Sequence, residues 1–400
     1  MEKNYLPSSY NGVMRVITRT VLILSIVSLF ADIASELLYP VIPVYLKDIG
    51  FSVVWIGILE GVANFTAGIS KGYFGKLSDE KGVRLPFVKL GYTLSAISKP
   101  MMAMFVYPLW IFFARTIDRL GKGVRTAARD ALLSQEATKE TKGRVFGFHR
   151  SLDTTGATIG PALALVFLYF YPRHYTTIFY LAFIPGIISV LLIFLLKEKV
   201  QPVSTLERGN FFSFFKYYRI ASPEYKRLVA GLLLFALFNS SDIFLLLKTS
   251  EMTKDDTTTI AAYVFYNLVF AISSYPLGAL ADKLSFKKVF LSGLVLFAIV
   301  YAGFAFNPST VMIFVLFFIY GIYAAATEGV TKAWITNIAH SKNTATAIGF
   351  YTSCESVCTL LASIVAGLVW SGFGSFYTFL ITSAVSMVVL VYFLLRIRDN

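Results

Sequence analysis

Ionisable side chains lie inside long apolar segments of this sequence. Drawn as a helix, segment 109–134 carries five cations and one anion on one face: Arg115, Asp118, Arg119, Lys122, Arg125 and Arg129. A charge at the centre of a bilayer costs at least about 2.5–3.5 kcal/mol, so such residues are candidates for function. Because guanidinium groups match carboxylate and phosphate oxygens, this face predicts a binding site for a small organic anion.

Carboxylates form a second candidate set. Asp32 and Glu36 lie one helical turn apart in the first apolar segment. A buried carboxylate can gain and lose a proton as its surroundings change, so we expect these two residues to carry protons. Glu328 precedes Lys332 by four residues, and it could exchange this lysine for a proton or form a stabilising pair with it along the helix. Both interpretations stay open.

The elements that hold these residues must cross a membrane. The chain is 56% hydrophobic and 15% charged. A spanning helix needs about 20 apolar residues, which leaves room for about twelve spans. We predict an all-α membrane protein with spans near 19–46, 52–77, 86–107, 109–134, 143–171, 176–197, 226–249, 257–281, 287–306, 309–338, 343–371 and 374–395. Continuous apolar runs exclude an outer-membrane barrel, whose strands alternate over about ten residues.

Positive charge is concentrated on one predicted side of the membrane. Most of the 36 lysines and arginines fall in the termini and the even-to-odd connections. The positive-inside rule then predicts cytoplasmic N- and C-termini in a cytoplasmic (inner) membrane. The net charge of +13 is therefore a topology signal and does not indicate a nucleic-acid partner. Cys354 and Cys358 supply too few ligands for a metal site.

The two halves of the sequence repeat each other. Gly75 aligns with Gly278 in a register that also pairs Asp79 with Asp282. The predicted domains are a six-helix bundle at 1–197, a linker at 198–225 and a second bundle at 226–400. Internal repeats of this kind are typical of transporters.

The linker mixes aromatic with basic residues. Its aromatic residues are Phe211, Phe212, Phe214, Phe215, Tyr217 and Tyr218, and Lys216 and Arg219 lie among them. This composition suits an amphipathic segment at the membrane interface. A disordered linker is the alternative.

Two loops carry a family resemblance. Residues 75–84 (GKLSDEKGVR) resemble the signature loop between the second and third helices of the major facilitator superfamily, and residues 278–288 resemble a weaker copy without the second glycine. The resemblance implies two pseudosymmetric six-helix bundles, with these loops latching the cytoplasmic side in one transport state. The predicted latch residues are Gly75, Asp79, Arg84, Arg129, Gly278 and Asp282. We expect Asp79 to meet a helix N-terminus or an arginine, and Arg129 to pair with Asp79 or Asp130.

A motif in the fifth span extends the resemblance. Gly156, Gly160 and Pro161 resemble the Gly-x-x-x-Gly-Pro motif of drug/proton antiporters in that superfamily, although such glycines also serve helix packing. Segments 35–40 and 118–130 are similar to those of a prokaryotic group whose substrates are mostly unassigned.

The superfamily resemblance also implies a central cavity lined by the first, fourth, seventh and tenth spans, each of which carries charge. The predicted substrate contacts are Arg115, Arg119, Lys122, Arg125, Tyr39, Asp242, Tyr323, Thr327, Glu328 and Lys332. Asp32, Glu36 and Glu328 are the predicted proton-coupling residues. Whether Glu60, Lys71 and Lys99 line the cavity or pair internally stays open.

These patterns predict a secondary transporter that works by alternating access. The expected substrate is a small organic anion, such as a polycarboxylate or a carboxylate metal chelate of the siderophore kind. The alternative is a drug/proton antiporter that exports amphiphilic compounds. No Walker motif and no catalytic motif occurs, so we predict neither ATP hydrolysis nor an enzyme. We expect no cofactor, a proton gradient as energy source, and a monomer whose partners are its small-molecule substrate and the lipid bilayer.

Overall fold

Helices account for nearly all of the described chain. The computed structural model describes residues 16–198, 210–306 and 308–397, and within these ranges there is no β-strand. The helices that build the twelve spans are α1a (Arg19–Glu36) and α1b (Val41–Asp48), α2 (Val53–Lys81), α3 (Leu85–Met104), α4 (Pro108–Gln135), α5 (Lys142–Phe170), α6 (Tyr175–Ile193), α7a (Pro223–Ala236) and α7b (Ile243–Thr253), α8 (Asp256–Lys283), α9 (Phe286–Ala305), α10 (Thr310–Ile338), α11 (Thr344–Phe373) and α12 (Ser375–Arg396). The predicted twelve-span, all-α architecture is confirmed.

Breaks interrupt the first helix of each half. The break in α1 lies at 37–40 and ends at Pro40, whose ring removes a backbone donor. The break in α7 lies at 237–242 and contains no proline. There the backbone N–H of Ser241 donates to Ser363 Oγ of α11 (3.3 Å), and such side-chain bonds compete with the helical ladder. The sequence predicted a disturbance in the first span but a continuous seventh span, and the break in α7 corrects the latter.

The outer surface of the bundle is apolar. Helices α5, α6 and α8 to α12 are long and apolar enough to cross a membrane, judged by length and composition. The remaining helices are interrupted, as α1 and α7 are, or carry charged residues, as α2 to α4 do. Large side chains such as Leu109 (84% exposed) and Leu395 (78% exposed) face outward. Exposed apolar surface of this extent suits contact with lipid.

Each half has its own hydrophobic core. Tyr92 and Val124 belong to one cluster of the N-terminal half, and Tyr45 and Phe179 belong to another. The C-terminal half has one continuous, aromatic-rich cluster around Phe297. Because the apolar clusters lie mainly within the halves, polar side chains can meet between them.

Both ends of the described chain lie at one end of the bundle, which we call the terminal side. Thr18, beside the start of α1a, donates to Glu136 at the end of α4 (2.6 Å). Lys287, at the start of α9, donates to the backbone oxygen of Ile397 after α12 (2.6 Å). The connections α2–α3, α4–α5, α8–α9 and α10–α11 lie on this side too.

The two halves meet on the terminal side, where α2 packs on α11 and α5 packs on α8. Glycines allow these helices to approach closely. A Cβ at Gly75 would lie 2.5 Å from the carbonyl oxygen of Ala345, and a Cβ at Gly278 would lie 2.1 Å from that of Gly143. The structure is therefore closed on the terminal side.

Candidate substrate cavity and gate

Three adjoining cavities lie among the helices. The first, of about 290 Å³, separates the halves and is lined from α1a, α2, α4, α5, α8, α10 and α11. The second, of about 460 Å³, lies between α2, α4 and α11, and the third, of about 100 Å³, lies mainly between α7a, α10 and α11. Glu355 lines all three cavities, and Lys71 and Lys122 line the first two. The three cavities thus adjoin one another around shared charged residues.

Most of the predicted substrate residues reach this region. Those that line a cavity are Arg119, Lys122, Arg125, Tyr323, Thr327, Glu328 and Lys332. Tyr39 instead lies in the break of α1 and is 46% exposed. Asp242 lies at the break of α7, where Tyr266 Oη donates to it (3.3 Å). Neither Tyr39 nor Asp242 lines any of the three cavities.

Arg115 lies inside the N-terminal bundle and not in the cavity wall. Its Nη1 is 3.1 Å from Asp118 Oδ2, and Lys99 Nζ of α3 donates to Asp118 Oδ1 (2.6 Å). All three side chains are buried. The charged residues predicted to share one face of α4 therefore do not all reach the cavity. Arg115, predicted as a substrate contact, instead pairs with Asp118 inside the N-terminal bundle. Lys99, for which the sequence left open a place in the cavity or an internal pair, also pairs internally.

Arg129 pairs with Asp130, one of its two predicted partners, with Nη2 and Oδ1 2.9 Å apart. Its Nη1 also donates to Ser28 Oγ of α1a (2.9 Å) and lies 3.8 Å from Asp153 Oδ1 of α5. Lys332 of α10 approaches the second oxygen of Asp130 at 2.9 Å. Asp130 therefore joins the two halves.

Glu328 and Lys332 pair with the opposite half and not with each other. Glu328 contacts Arg150 of α5, whereas Lys332 contacts Asp130 of α4. Arg150 also holds Asp153 on its own helix (2.8 Å). Of the two open interpretations, the stabilising pair along α10 does not form in this structure, because the N-terminal half supplies a partner for each residue.

Asp32 and Glu36 face the first cavity from α1a. Helix α5 packs tightly against the turns that carry them. A Cβ at Gly156 would lie 2.4 Å from a carbonyl oxygen of α1a, and a Cβ at Gly160 would lie 2.7 Å from a backbone nitrogen at its end. The buried ring of Pro161 follows. The glycines therefore let α5 hold the two carboxylates beside the cavity.

Lys71 of α2 and Lys122 of α4 share the wall between the first and second cavities. Lys71 Nζ donates to Ser356 Oγ of α11 (3.4 Å). Within the described chain, neither lysine forms an ion pair. Lys71, which the sequence left open, is a cavity residue. The Glu60 side chain lies outside the described residues.

The two signature loops close onto helix N-termini of the opposite half. Asp79 accepts a hydrogen bond from the backbone N–H of Thr346 in the first turn of α11 (2.7 Å) and pairs with Arg84 (2.9 Å). Asp282 accepts from two backbone N–H groups at the start of α5, at 2.6 and 2.9 Å. A helix N-terminus carries partial positive charge and unpaired N–H donors, so it attracts a carboxylate. Asp79 therefore meets both of its expected partners, and Asp282 repeats the helix contact.

The bridging residues Arg150 and Asp130 were not predicted to join the halves. The sequence signal for these contacts was weak and pointed only to partners on the same helix. Arg150 lies three residues before Asp153 on one helix face, and Asp130 follows Arg129 directly. Glu355, which lines all three cavities, was not among the predicted site residues. Among the described residues, no group of three His, Cys, Asp or Glu side chains could hold a metal ion.

Known proteins share this sequence pattern and architecture. The sequence profile of the Major Facilitator Superfamily matches residues 24–264 and 248–400. An uncharacterized MFS-type transporter of Methanocaldococcus jannaschii is 31% identical over 362 residues, covering 89% of each chain. A multi-drug resistance efflux pump PmrA homolog of Lactococcus lactis is 21% identical and covers 85% of this chain and 86% of its own.

Solved structures share the fold at low sequence identity. The human organic anion transporter MFSD10 (TETRAN) is 15% identical with a TM-score of 0.80, covering 97% of this chain and 100% of that one. The transporter FucP in its outward conformation is 13% identical with a TM-score of 0.77, covering 96% and 100%. The family resemblance in the signature loops is confirmed. The chain belongs to the Major Facilitator Superfamily, as a multi-pass membrane transporter and not an enzyme.

Proposed function

We propose that this transporter moves a small organic anion across the cytoplasmic membrane, coupled to protons. The observation that carries the proposal is the pair Lys71 and Lys122, which line one cavity wall without forming ion pairs among the described residues. Arg119 also lines the second cavity, whereas the Arg125 guanidinium donates to Ser95 Oγ of α3 (2.7 Å). Basic side chains in a membrane interior are best compensated by a ligand that carries carboxylate groups.

The proposed transport cycle is alternating access. The terminal side, rich in lysine and arginine, is the cytoplasmic side by the positive-inside rule. Substrate enters from the opposite side while the cytoplasmic side is closed. Protonation of Asp32 or Glu36 then biases the halves toward the state open to the cytoplasm. In that state the contacts of Asp79 and Asp282 with α11 and α5 break.

Export of amphiphilic drugs is the second candidate. The PmrA homolog of Lactococcus lactis and the quinolone resistance protein NorA of Staphylococcus aureus, 26% identical over 127 residues, favour it. Phe65 and Leu360 add apolar surface to the second cavity, and Asp32 and Glu36 supply negative charge for a cationic drug.

A thermal-shift screen of the purified protein separates the candidates, because a ligand that binds only the folded state raises the apparent Tm. The probes are citrate, malate, ferric citrate and the cationic dye ethidium. We expect a carboxylate to raise the Tm, and Lys71→Gln and Lys122→Gln to remove that shift. Lys47→Gln, at an exposed lysine of α1b, is the matched control and keeps it.

Transport by the same variants in proteoliposomes completes the test. Uptake of the stabilising carboxylate should fall to background in both cavity variants and stay at the wild-type level in Lys47→Gln. A Tm shift with ethidium alone would overturn the anion proposal in favour of drug export. Unchanged carboxylate transport after loss of either cavity lysine would also overturn it.

A further inference from the structure

A short segment of the linker, residues 210–220, packs against the terminal-side contact between the halves. The ring of Phe214 fills the space beside Gly72 of α2, where a Cβ would lie 2.4 Å from the ring. Lys76 Nζ of α2 donates to Ser213 Oγ (2.8 Å). These contacts tie the segment to the N-terminal half.

The same segment also contacts the C-terminal half. The Tyr218 ring stacks on Phe350 of α11 with centroids 5.6 Å apart, and the Phe215 ring meets Phe350 edge-on at 6.0 Å. Tyr217 packs against Tyr225 of α7a at 5.3 Å. The linker segment therefore bridges the two helices, α2 and α11, that must separate when the terminal side opens.

The exposed face of the segment lies beside the terminal-side ends of α2 and α11. At about 1.5 Å of rise per residue, Gly72 lies roughly 13 Å from the end of α2 and Phe350 roughly 9 Å from the start of α11. Beside them, Phe211, Phe212 and Phe215 are exposed, with Phe212 at 60%. Exposed aromatic side chains beside basic residues are typical of segments that lie at the boundary between acyl chains and headgroups.

Basic residues lie among and directly after these aromatic residues in the chain. We define the linker patch as Lys216, Arg219, Lys226 and Arg227. Three of its residues are exposed, and Lys226 is half-buried, where its Nζ donates to the backbone oxygen of Arg219 (2.9 Å). Glu224 is the one acidic residue between 210 and 227. The patch therefore complements a negatively charged surface.

We propose that the linker patch binds the headgroups of anionic phospholipids in the leaflet of the terminal side, and that this binding holds that side closed. Lipid phosphates neutralise the basic residues while the aromatic side chains enter the acyl boundary. A linker held in this position keeps its contacts with both α2 and α11. Opening the terminal side must break either the contacts of the segment with α2 or its contacts with α11.

The binding test uses the full chain in nanodiscs of phosphatidylcholine, with and without phosphatidylglycerol. We expect phosphatidylglycerol to raise the apparent Tm of the wild type. A variant with Lys216→Gln, Arg219→Gln, Lys226→Gln and Arg227→Gln should keep the wild-type Tm in phosphatidylcholine and lose the shift. The matched control replaces four exposed lysines elsewhere on the terminal side by glutamine, namely Lys81, Lys139, Lys283 and Lys288, and should retain the shift.

Two outcomes of this measurement overturn the proposal. One is an equal phosphatidylglycerol shift in the patch variant and the wild type. The other is an equal loss of the phosphatidylglycerol shift in the patch and control variants, which would mean that total positive charge, and not the linker patch, produces the shift. Soluble glycerol 3-phosphate serves as a further arm, and a shift with it in the absence of anionic lipid would also count against a lipid surface.

The conformational test measures a spin-label distance without substrate, so it is independent of the transported compound. Spin labels attached at Lys81→Cys and Lys342→Cys report the separation of α2 and α11. The labelled chain carries serine in place of Cys354 and Cys358. We expect phosphatidylglycerol to shift the population toward the short distance when the linker patch is intact and to leave the patch variant unaffected. A distribution insensitive to phosphatidylglycerol in the intact chain overturns the proposal.

Discussion

The ionisable side chains of the bundle differ in whether their partner lies in the same half. Asp118 has its partners, Lys99 and Arg115, within the N-terminal half. The pair Asp130–Lys332 instead joins α4 to α10. A contact between the halves on the terminal side must break when that side opens, whereas a pair within one half can persist. Ion pairs between the halves therefore affect the equilibrium between the closed and open states, whereas ion pairs within one half affect the stability of the fold.

Substitution of Lys332 and Arg129 separates these two roles around Asp130. Lys332→Gln leaves Asp130 paired with Arg129, so the Tm should change little while the closed state weakens by about 1–3 kcal/mol. Arg129→Gln leaves Lys332 beside Asp130, but it removes the internal partner of this fully buried carboxylate together with the bond to Ser28, and we expect about 3–5 kcal/mol of lost unfolding free energy.

Thermal unfolding in detergent and terminal-side spin-label distances distinguish the two effects. If both variants lower the Tm equally and neither changes the distance distribution, the division into internal and crossing pairs is wrong. Arg150 and Glu328 form another ion pair across the halves, so Glu328→Gln should shift the distances in the same direction as Lys332→Gln.

Asp32 is the residue on which the proposed proton coupling depends most directly. Asp32→Asn cannot release a proton, so a pH gradient should no longer drive accumulation beyond equilibration. Exchange of substrate across the membrane needs no net proton movement and should persist. Both are measured in proteoliposomes, with Asp48→Asn at an exposed position of α1b as control. Gradient-driven accumulation by the Asp32→Asn protein would contradict the assignment.

The repeat places equivalent closing contacts at two helix pairs. Gly75 contacts the start of α11 and Gly278 contacts the start of α5, each one turn before the aspartate that binds the same helix. The same carboxylate-to-N-terminus contact thus appears on both sides of the pseudosymmetry axis. Closure is consequently a property of helix pairs and not of a single side chain.

Gly278→Ala tests the α5–α8 contact. Its Cβ would lie 2.1 Å from the backbone oxygen of Gly143, so the helices must separate, and the closed state should lose about 1–3 kcal/mol. Gly372→Ala is the control, because nothing lies within 4 Å of a Cβ there. Distances between labels at Lys139 and Lys283 provide the measurement. A closed-state population equal in both variants would show that this contact does not limit closure.

For the molecule as a whole, the sequence predicted the fold more completely than it predicted the candidate site. Apolar runs of bilayer length are local signals, and they located all twelve spans. The repeated glycine-to-aspartate spacing located both loops that close the terminal side. The break in α7 was missed, since no proline marks it and the competing bond comes from Ser363 on another helix.

The sequence by itself determined the membrane class, the twelve spans, the two halves and the family, because hydrophobic length and motif spacing are properties of contiguous residues. Only the tertiary structure decided which charges meet. It directed Arg115 inward to Asp118, brought Lys71 beside Lys122, and divided Glu328 and Lys332 between different partners in the opposite half. The physical reason is that an ion pair depends on separation in space, and helices far apart in sequence set that separation only when they pack.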